Sequence, residues 1–547
     1  MPDFDVDIAA RLRSIRAIPS ALRSNSPACF QAVIRFASNS FRHPGVGRKP
    51  PEDPRGQVWL SSVLGSAVGR IPARYFLIPV AWFLISLSNV PPATGPASLL
   101  GSQAPQREGG RDRRGIVETF QTDVPERPYD IVLGNPTAKS VTASVLAYLP
   151  TEGYIEFGLR RGDYSSRSTS VRLEPGKPRE LILGGLAANS RYFYRWRSRA
   201  RSEGEFGASD EFTFRTGRTD GESFVFTVQA DSHLDGRTDP RLYEASLRNA
   251  RAANPDFHID LGDTFMTDKR RADHRQSLPQ YLAQRHYFGL IGNVAPVFLV
   301  SGNHDGEGKR RGAMGTWARQ QRRTYFATPS DGADDKGNYY AWEWGDALFV
   351  ALDPFWETTR GRPADGYWAR TLGEAQFRWL ARTLRTSSAR FKFVFIHHLV
   401  GGINQAARGG VSAAGLFEWG GRGLNGDYEF DDRRPGWEQP IHQLLVDTGV
   451  TIVFHGHDHV FAKEELDGVV YLLIPQPGLN RYSAPRSLDG GYESADVVGG
   501  PGHVRVSVSA DAAHVELVQT RREGTEPGNG QTVYAYQVRP RCGGDCR

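Results

Sequence analysis

"TIVFHGHDHVF", residues 451–461, sets His455, His457 and His459 within five residues, directly after an apolar run. The chain has 547 residues and only 14 histidines. Imidazole ligates metals and moves protons near neutral pH, so a dense cluster at a strand end is a candidate site. Alone, the stretch reads equally well as a polar turn, and the surrounding sequence has to decide.

Further apolar runs of strand length lie on both sides: "SFVFTVQ" (223–229), "DFHIDLG" (256–262), "APVFLVSG" (295–302), "DALFVALD" (346–353), "FKFVFIHH" (391–398) and "VVYLLIP" (469–475). Between them, "PRLYEASLRNARAAN", "EAQFRWLARTLRTS" and "WEQPIHQLLVDTG" carry apolar residues at helical spacing. The alternation predicts an α/β domain over 221–485. Polar clusters close these runs: "ADSH", "LGDT", "SGNHD", "IHH" and "HGHDH". In open α/β sheets, sites form in the crevice beyond the carboxyl ends of the strands. Five strand ends thus aim ligand-type side chains at one region.

Residues 127–217 read differently. Short runs rich in β-branched and aromatic residues recur with Gly, Pro and Asn between them, which predicts a small antiparallel sandwich. Residues 486–547 return to strands and a tail, and 107–126 form a charged linker. The net charge of +6 belongs to a basic leader, residues 1–74; beyond it acids and bases balance, so the body carries no nucleic-acid-binding signal. Within 75–106, "YFLIPVAWFLISL" follows Arg70 and Arg74 and precedes small residues and proline, the pattern of an export signal. Its thirteen residues, with Pro79 inside, are short of the roughly 20 that span a bilayer. The expectation is an exported protein, periplasmic or extracellular, whose membrane contact is limited to this segment if uncleaved. A signal so far from Met1 also suggests an over-called start. Of three cysteines, Cys542 and Cys546 can close a small loop after export, and none sits near the clusters.

Asp231-Ser-His233, Gly262-Asp263, Gly302-Asn303-His304-Asp305, His397 and Gly456-His457-Asp458-His459, in this order and each after an apolar strand, closely resemble the calcineurin-like metallophosphoesterase superfamily. The resemblance implies an αββα fold, a β-sandwich flanked by helices, with two divalent or mixed-valence ions drawn from Fe, Mn or Zn. It implies that Asp231, His233 and His459 bind the first ion and that Asp263 bridges. Asn303, His397 and His457 complete the second. It makes His304 the proton donor to the leaving oxygen and Asp305 the residue that orients it. Mixed His, Asp and Asn ligands suit those metals. Two ions about 3.5–4 Å apart clamp a phosphoryl group and activate a bridging hydroxide as nucleophile. His455 has no assigned role, and His258, inside a strand, reads as a core residue.

With a fibronectin-III-like sandwich ahead of it, the arrangement is similar to purple acid phosphatases over 127–485. It departs where His233 stands two residues after the first Asp, and where Met266 replaces a tyrosine ligand. A ferric-tyrosinate colour is therefore not expected. The implied activity is hydrolysis of phosphate esters, with phosphomonoesters first. Phosphodiesters, in nucleotides or phospholipid headgroups, come second, and a non-catalytic binding protein third. The glycine-rich stretch 401–437 reads as a lid, and the arginines of 308–323 as phosphate holders.

Overall fold

The computed structural model describes residues 119–200, 204–270, 273–329, 338–359, 366–399, 409–483, 491–492, 495–522 and 528–541. The basic leader, the export segment, most of the linker, Cys542 and Cys546 lie outside them. Among the described residues no helix is long and apolar enough to cross a membrane.

The first nine strands are β1 (Tyr129–Gly134), β2 (Ser140–Ala147), β3 (Thr151–Gly158), β4 (Ser166–Arg167), β5 (Val171–Leu173), β6 (Arg179–Gly184), β7 (Arg191–Ala200), β8 (Gly207–Ala208) and β9 (Phe212–Arg215). They form two sheets, β1-β2-β6 and β4-β3-β7-β8, with β5 on β3 and β9 on β7. Along β7 every second residue turns inward, so Tyr192, Tyr194 and Trp196 meet Val141, Ala143 and Val145 of β2 between the sheets. β2 is buried on both faces. Its outer residue Leu146, with Val132 of β1, packs against Phe288 of the helix Leu278–Gly292. That contact explains why these two strands lack the hydrophobic alternation of a half-exposed sheet.

The α/β part pairs two mixed sheets. The first runs β12-β11-β10-β20-β21-β22, from β10 (Phe224–Gln229), β11 (Phe257–Asp260), β12 (Val297–Leu299), β20 (Gly502–Val508), β21 (Ala513–Gln519) and β22 (Gln531–Val538). The second runs β13-β14-β15-β16-β18-β17-β19, from β13 (Tyr340–Trp344), β14 (Ala347–Ala351), β15 (Phe391–Phe395), β16 (Ile452–His455), β17 (Phe461–Leu466), β18 (Val469–Leu473) and β19 (Asp496–Val498). β10, β11 and β12 are mutually parallel, as are β14, β15, β16 and β18. The aromatic-rich strands meet face to face: Phe226 lies edge-on to Phe349 at 5.2 Å and beside Phe393 at 5.6 Å. Helices cover both outer faces, which completes the αββα fold. On the first, the helix Pro240–Ala252 is capped by Asp239, whose carboxylate accepts the Arg241 N–H, and buries Leu242, Tyr243, Leu247 and Ala250. On the second, the helices Glu374–Thr386 and Ile441–Asp447 bury Phe377, Leu380, Leu384, Leu444 and Leu445.

One expectation is corrected here. The strands of 486–547 are not a separate tail. β20 pairs antiparallel with β10 along Phe224–Val228, and β21 and β22 extend the same sheet. Val504, Val506 and Val515 are core residues between the sheets, so the α/β part needs its last strands to cover its own apolar face.

Candidate metal centre

Every candidate ligand follows a buried strand: Asp231 and His233 β10, Asp263 β11, Asn303 β12, His397 β15, His457 and His459 β16. The chain must turn abruptly at these ends to aim side chains into one crevice. Asp231, His233, Asp263, His457 and His459 all adopt positive φ, at 60°, 43°, 57°, 83° and 64°. Non-glycine residues there cost about 1–3 kcal/mol each, a strain that tends to collect at functional sites. Glycines let the turns approach. A Cβ on Gly302 would lie 2.0 Å from the Asp263 nitrogen, and one on Gly456 would lie 2.9 Å from Asp231 Oδ2. Gly456 is required by this crowding and not by positive φ.

The side chains form two groups, Asp231–His233–His459 and Asp263–His397–His457, with the donor atoms of each within 4.8 Å of one another. In the first, Asp231 Oδ1 is 3.7 Å from His233 Nε2 and 3.6 Å from His459 Nε2. In the second, Asp263 Oδ2 is 3.3 Å from His397 Nε2, while Asn303 Oδ1 lies 3.1 Å from the same nitrogen. Tetrahedral metal bonds of about 2.0–2.1 Å place donors about 3.3–3.4 Å apart, close to these spacings. Asp263 Oδ2 also stands 3.7 Å from His233 Nε2, so one oxygen faces both groups.

The backbone orients both carboxylates. The His457 N–H donates to Asp231 Oδ2 (2.8 Å) and the His304 N–H to Asp263 Oδ1 (2.7 Å), leaving the other oxygen of each turned inward. His397 Nδ1–H donates to the Leu261 carbonyl, which presents Nε2 to the crevice. Asp231 Oδ1 and His233 Nε2 are buried with no hydrogen-bond partner. Buried, aimed and unsatisfied N and O donors fit divalent ions of the Zn, Fe or Mn kind.

Electrostatics agrees. Burial presses the Asp231 carboxyl upward, but the surrounding imidazoles, His459 foremost, outweigh it and bring it down to about 2. Burial likewise opposes the charged Asp263, and His397 and His304 carry it well below the carboxylate range. Burial alone would lower His397; the Asp263 charge raises it to about 9. Two carboxylates kept ionised beside imidazoles form a donor set suited to a cation.

His304 stands beside the second group, about a quarter exposed. The expected partner for its ring is corrected by the geometry. Asp305 does not reach the imidazole. Its carboxylate accepts four backbone N–H groups, from Gly302, Asp263, Thr264 and Phe265 at 2.7–3.1 Å, and so ties the loop after β11 to the loop after β12. His304 Nδ1 instead meets Asp268 Oδ1 at 3.0 Å, and Arg311 Nη2 donates to Asp268 Oδ2 at 3.0 Å. Asp268 lies five residues past Asp263, a spacing with no motif to announce it. Asp235 was also unannounced; it faces His233 Nδ1 at 3.4 Å and is held by Arg237 at 2.9 Å.

The remaining histidines separate clearly. His455, the last residue of β16, turns away from the crevice toward Gly410 and Glu464 and belongs to neither group. Its burial pulls it down to about 4. His258 bonds Thr227 Oγ1 inside the first sheet at 2.8 Å. Within 308–323, Arg322 is buried against Glu307 at 2.8 Å and Arg311 serves Asp268, so neither is a free phosphate holder. Residues 409–437, the described part of the expected lid, pack Phe417, Trp419 and Phe430 into the protein.

Residues 224–461 match the model of the calcineurin-like phosphoesterase family. Among solved structures, PhoD is similar at a TM-score of 0.55 and 14% identity, covering 75% of this chain and 90% of PhoD. The purple acid phosphatase PPD1 from yellow lupin (Lupinus luteus) is similar at 0.52 and 14%, covering 75% of this chain and 74% of that one. No curated protein matches in sequence. With its five strand-end clusters gathered in the crevice of an αββα fold, the part of the chain over residues 224–461 is a calcineurin-like phosphoesterase domain.

Proposed function

We propose that this phosphoesterase uses a pair of metal ions to hydrolyse phosphomonoesters, and that it is exported by way of residues 75–106 behind a fibronectin-III-like sandwich. The observation that carries the metal reading is the single inward oxygen of Asp263 facing both donor groups. Asp231, His233 and His459 would hold one ion, Asn303, His397 and His457 the other, and Asp263 both. Ions bound there supply Lewis-acid polarisation of the phosphoryl oxygens and lower the pKa of water.

The chain's own groups do the rest. Asp231 and Asp263 bring the negative charge that retains the metals. Asp305 fixes the two loops that carry Asp263, Asn303 and His304. Asp268 holds His304 Nδ1, which leaves Nε2 to deliver a proton to the departing ester oxygen.

The test uses residues 107–547 loaded in turn with Mn, Zn and Fe, comparing p-nitrophenyl phosphate with bis(p-nitrophenyl) phosphate. Faster monoester turnover is expected; faster diester turnover would reassign the substrate to nucleotides or phospholipid headgroups. Asp263→Asn should lower kcat by about three orders of magnitude or more with an unchanged thermal midpoint. Metal uptake without turnover of either ester would leave a binding protein on the same scaffold.

A further inference from the structure

At the amino ends of β10 and β11, the sandwich and the α/β part line a cavity of about 450 Å³. Arg215 at the end of β9 and Arg218 behind it form one wall. The start of β10, the turn after the helix Pro240–Ala252 and the β20–β21 hairpin form the others. The metal crevice is at the opposite end of the sheet. Val225 lines the cavity, and Asp231 follows six residues later, about 20 Å away at about 3.3 Å per residue.

The cavity carries positive charge that the fold does not neutralise. Asp256 is the one carboxylate among its lining residues, is 2% exposed and is already engaged. Its Oδ2 accepts the Val225 N–H at 3.1 Å and its Oδ1 the Arg218 Nε–H at 2.7 Å. Arg218 Nη1 donates to Asn189 Oδ1 at 3.0 Å, so this side chain reaches both parts of the molecule. Arg215 Nε stands 3.9 Å from Asp256 Oδ1, beyond hydrogen-bond reach. Phe214 turns into the sandwich core, so Arg215 turns outward, where its side chain is 26% exposed. There it stands directly opposite Arg191 across the β7–β9 pair. Like charges facing across antiparallel strands repel and destabilise the pair. Among the described residues, neither Arg191 nor Arg215 makes a hydrogen bond through its guanidinium. Ser507 and His514, opposite each other in the hairpin, add a hydroxyl and an imidazole to the wall. Glu516, 3.5 Å from His514, is taken by Arg505 at 2.7 Å. An anion in the cavity would meet a guanidinium in need of a counter-charge. The planar fork of donors matches the oxygens of a phosphate. The volume lies within the range of about 300–1,000 Å³ usual for small-molecule sites, larger than a bare ion requires.

We infer that this cavity is a second phosphate site, remote from the metal centre, in which Arg215 and Arg218 hold the phosphate group of a small molecule. Among the described residues the two metal-ligand groups both lie in the crevice, so a phosphate ester bound here is held and not hydrolysed. By touching residues of the sandwich and of the α/β part at once, it braces one against the other.

The test is a calorimetric titration of the full chain, stripped of metal by a chelator, with inorganic phosphate and with phenylphosphonate, whose C–P bond a phosphoesterase does not cleave. Without ions the crevice presents carboxylates and does not hold either probe. One equivalent of phosphate should bind with a Kd of about 1 mM or tighter, and Arg215→Gln should weaken it by about tenfold or more. Ser507→Glu, which sets a carboxylate in the wall, should abolish binding independently. Arg215→Gln breaks no hydrogen bond, so its thermal midpoint in phosphate-free buffer should match the wild type. Added phosphate should raise the wild-type midpoint and leave that of the variant in place. Tighter binding of phenylphosphonate is expected for an organic ligand; tighter binding of inorganic phosphate would assign the same site to the free ion. A stripped wild-type chain that binds neither probe, or binding unchanged in both variants, would overturn the site.

Discussion

Asp305 follows His304 in the chain, yet it serves the backbone of two loops and leaves the imidazole to Asp268. Neighbouring residues send their side chains in different directions, so adjacency says little about who orients whom. Asp268 reaches His304 because Met266, at φ 49°, turns the chain into the short 3-10 helix Thr267–Lys269. Asp268→Asn keeps the shape but loses the carboxylate that holds the ring. We expect a roughly 10- to 100-fold fall in kcat, the size typical of such supporting partners. The loss should be larger for an alkyl phosphate than for p-nitrophenyl phosphate, because only the poorer leaving group needs the His304 proton. Equal losses for both would remove His304 from that role.

At the scale of the element, the site is made by strand ends. Five buried parallel strands, β10, β11, β12, β15 and β16, each deliver one or two ligands because their last residues emerge where both sheets stop. Gly262 and Gly302 let two of these ends touch, with a Cβ on Gly262 falling 2.4 Å from the Gly302 nitrogen. The end of β14 carries no metal ligand and holds Asp353 instead. Burial pushes its carboxyl up to about 6, and Oδ2 has no partner. The folded chain therefore binds this proton more tightly than the unfolded chain does. Its contribution to stability falls as pH rises from about 4 to about 6 and levels off above that, a change of about 3 kcal/mol. Denaturant titrations of the wild type and Asp353→Asn should diverge across that window, with the variant losing this part of the pH slope. Parallel curves from pH 4 to 7 would place the carboxyl's folded-state pKa elsewhere.

At the scale of the whole molecule, the sandwich and the α/β part share one buried arginine. Arg285 lies on the helix over the first sheet and is fully buried. It donates to the Ser144 and Asp130 carbonyls of the sandwich and to that of Tyr325. Arg285→Met removes these donors from buried carbonyls, and a buried acceptor left unpaired costs about 1–3 kcal/mol. Chemical denaturation should show a loss of at least about 3 kcal/mol, with metal stoichiometry unchanged because no ligand is touched. A loss below about 1 kcal/mol would mean that the two parts are joined mainly by the apolar contact of Val132 and Leu146 with Phe288.

The sequence by itself determined the α/β alternation and the set of side chains that meet in the crevice. Both are local: a strand announces itself by its apolar run, and each ligand sits within a few residues of its strand's end. Only the tertiary structure decided which neighbour orients His304, that the last strands complete the first sheet, and that His398 stands against His457. Those facts depend on loops turning through strained backbone and on strands pairing across almost 300 residues, such as β10 with β20. No spacing in the chain records how such segments meet, because the apolar surface that drives them together has no preferred partner until the core is packed.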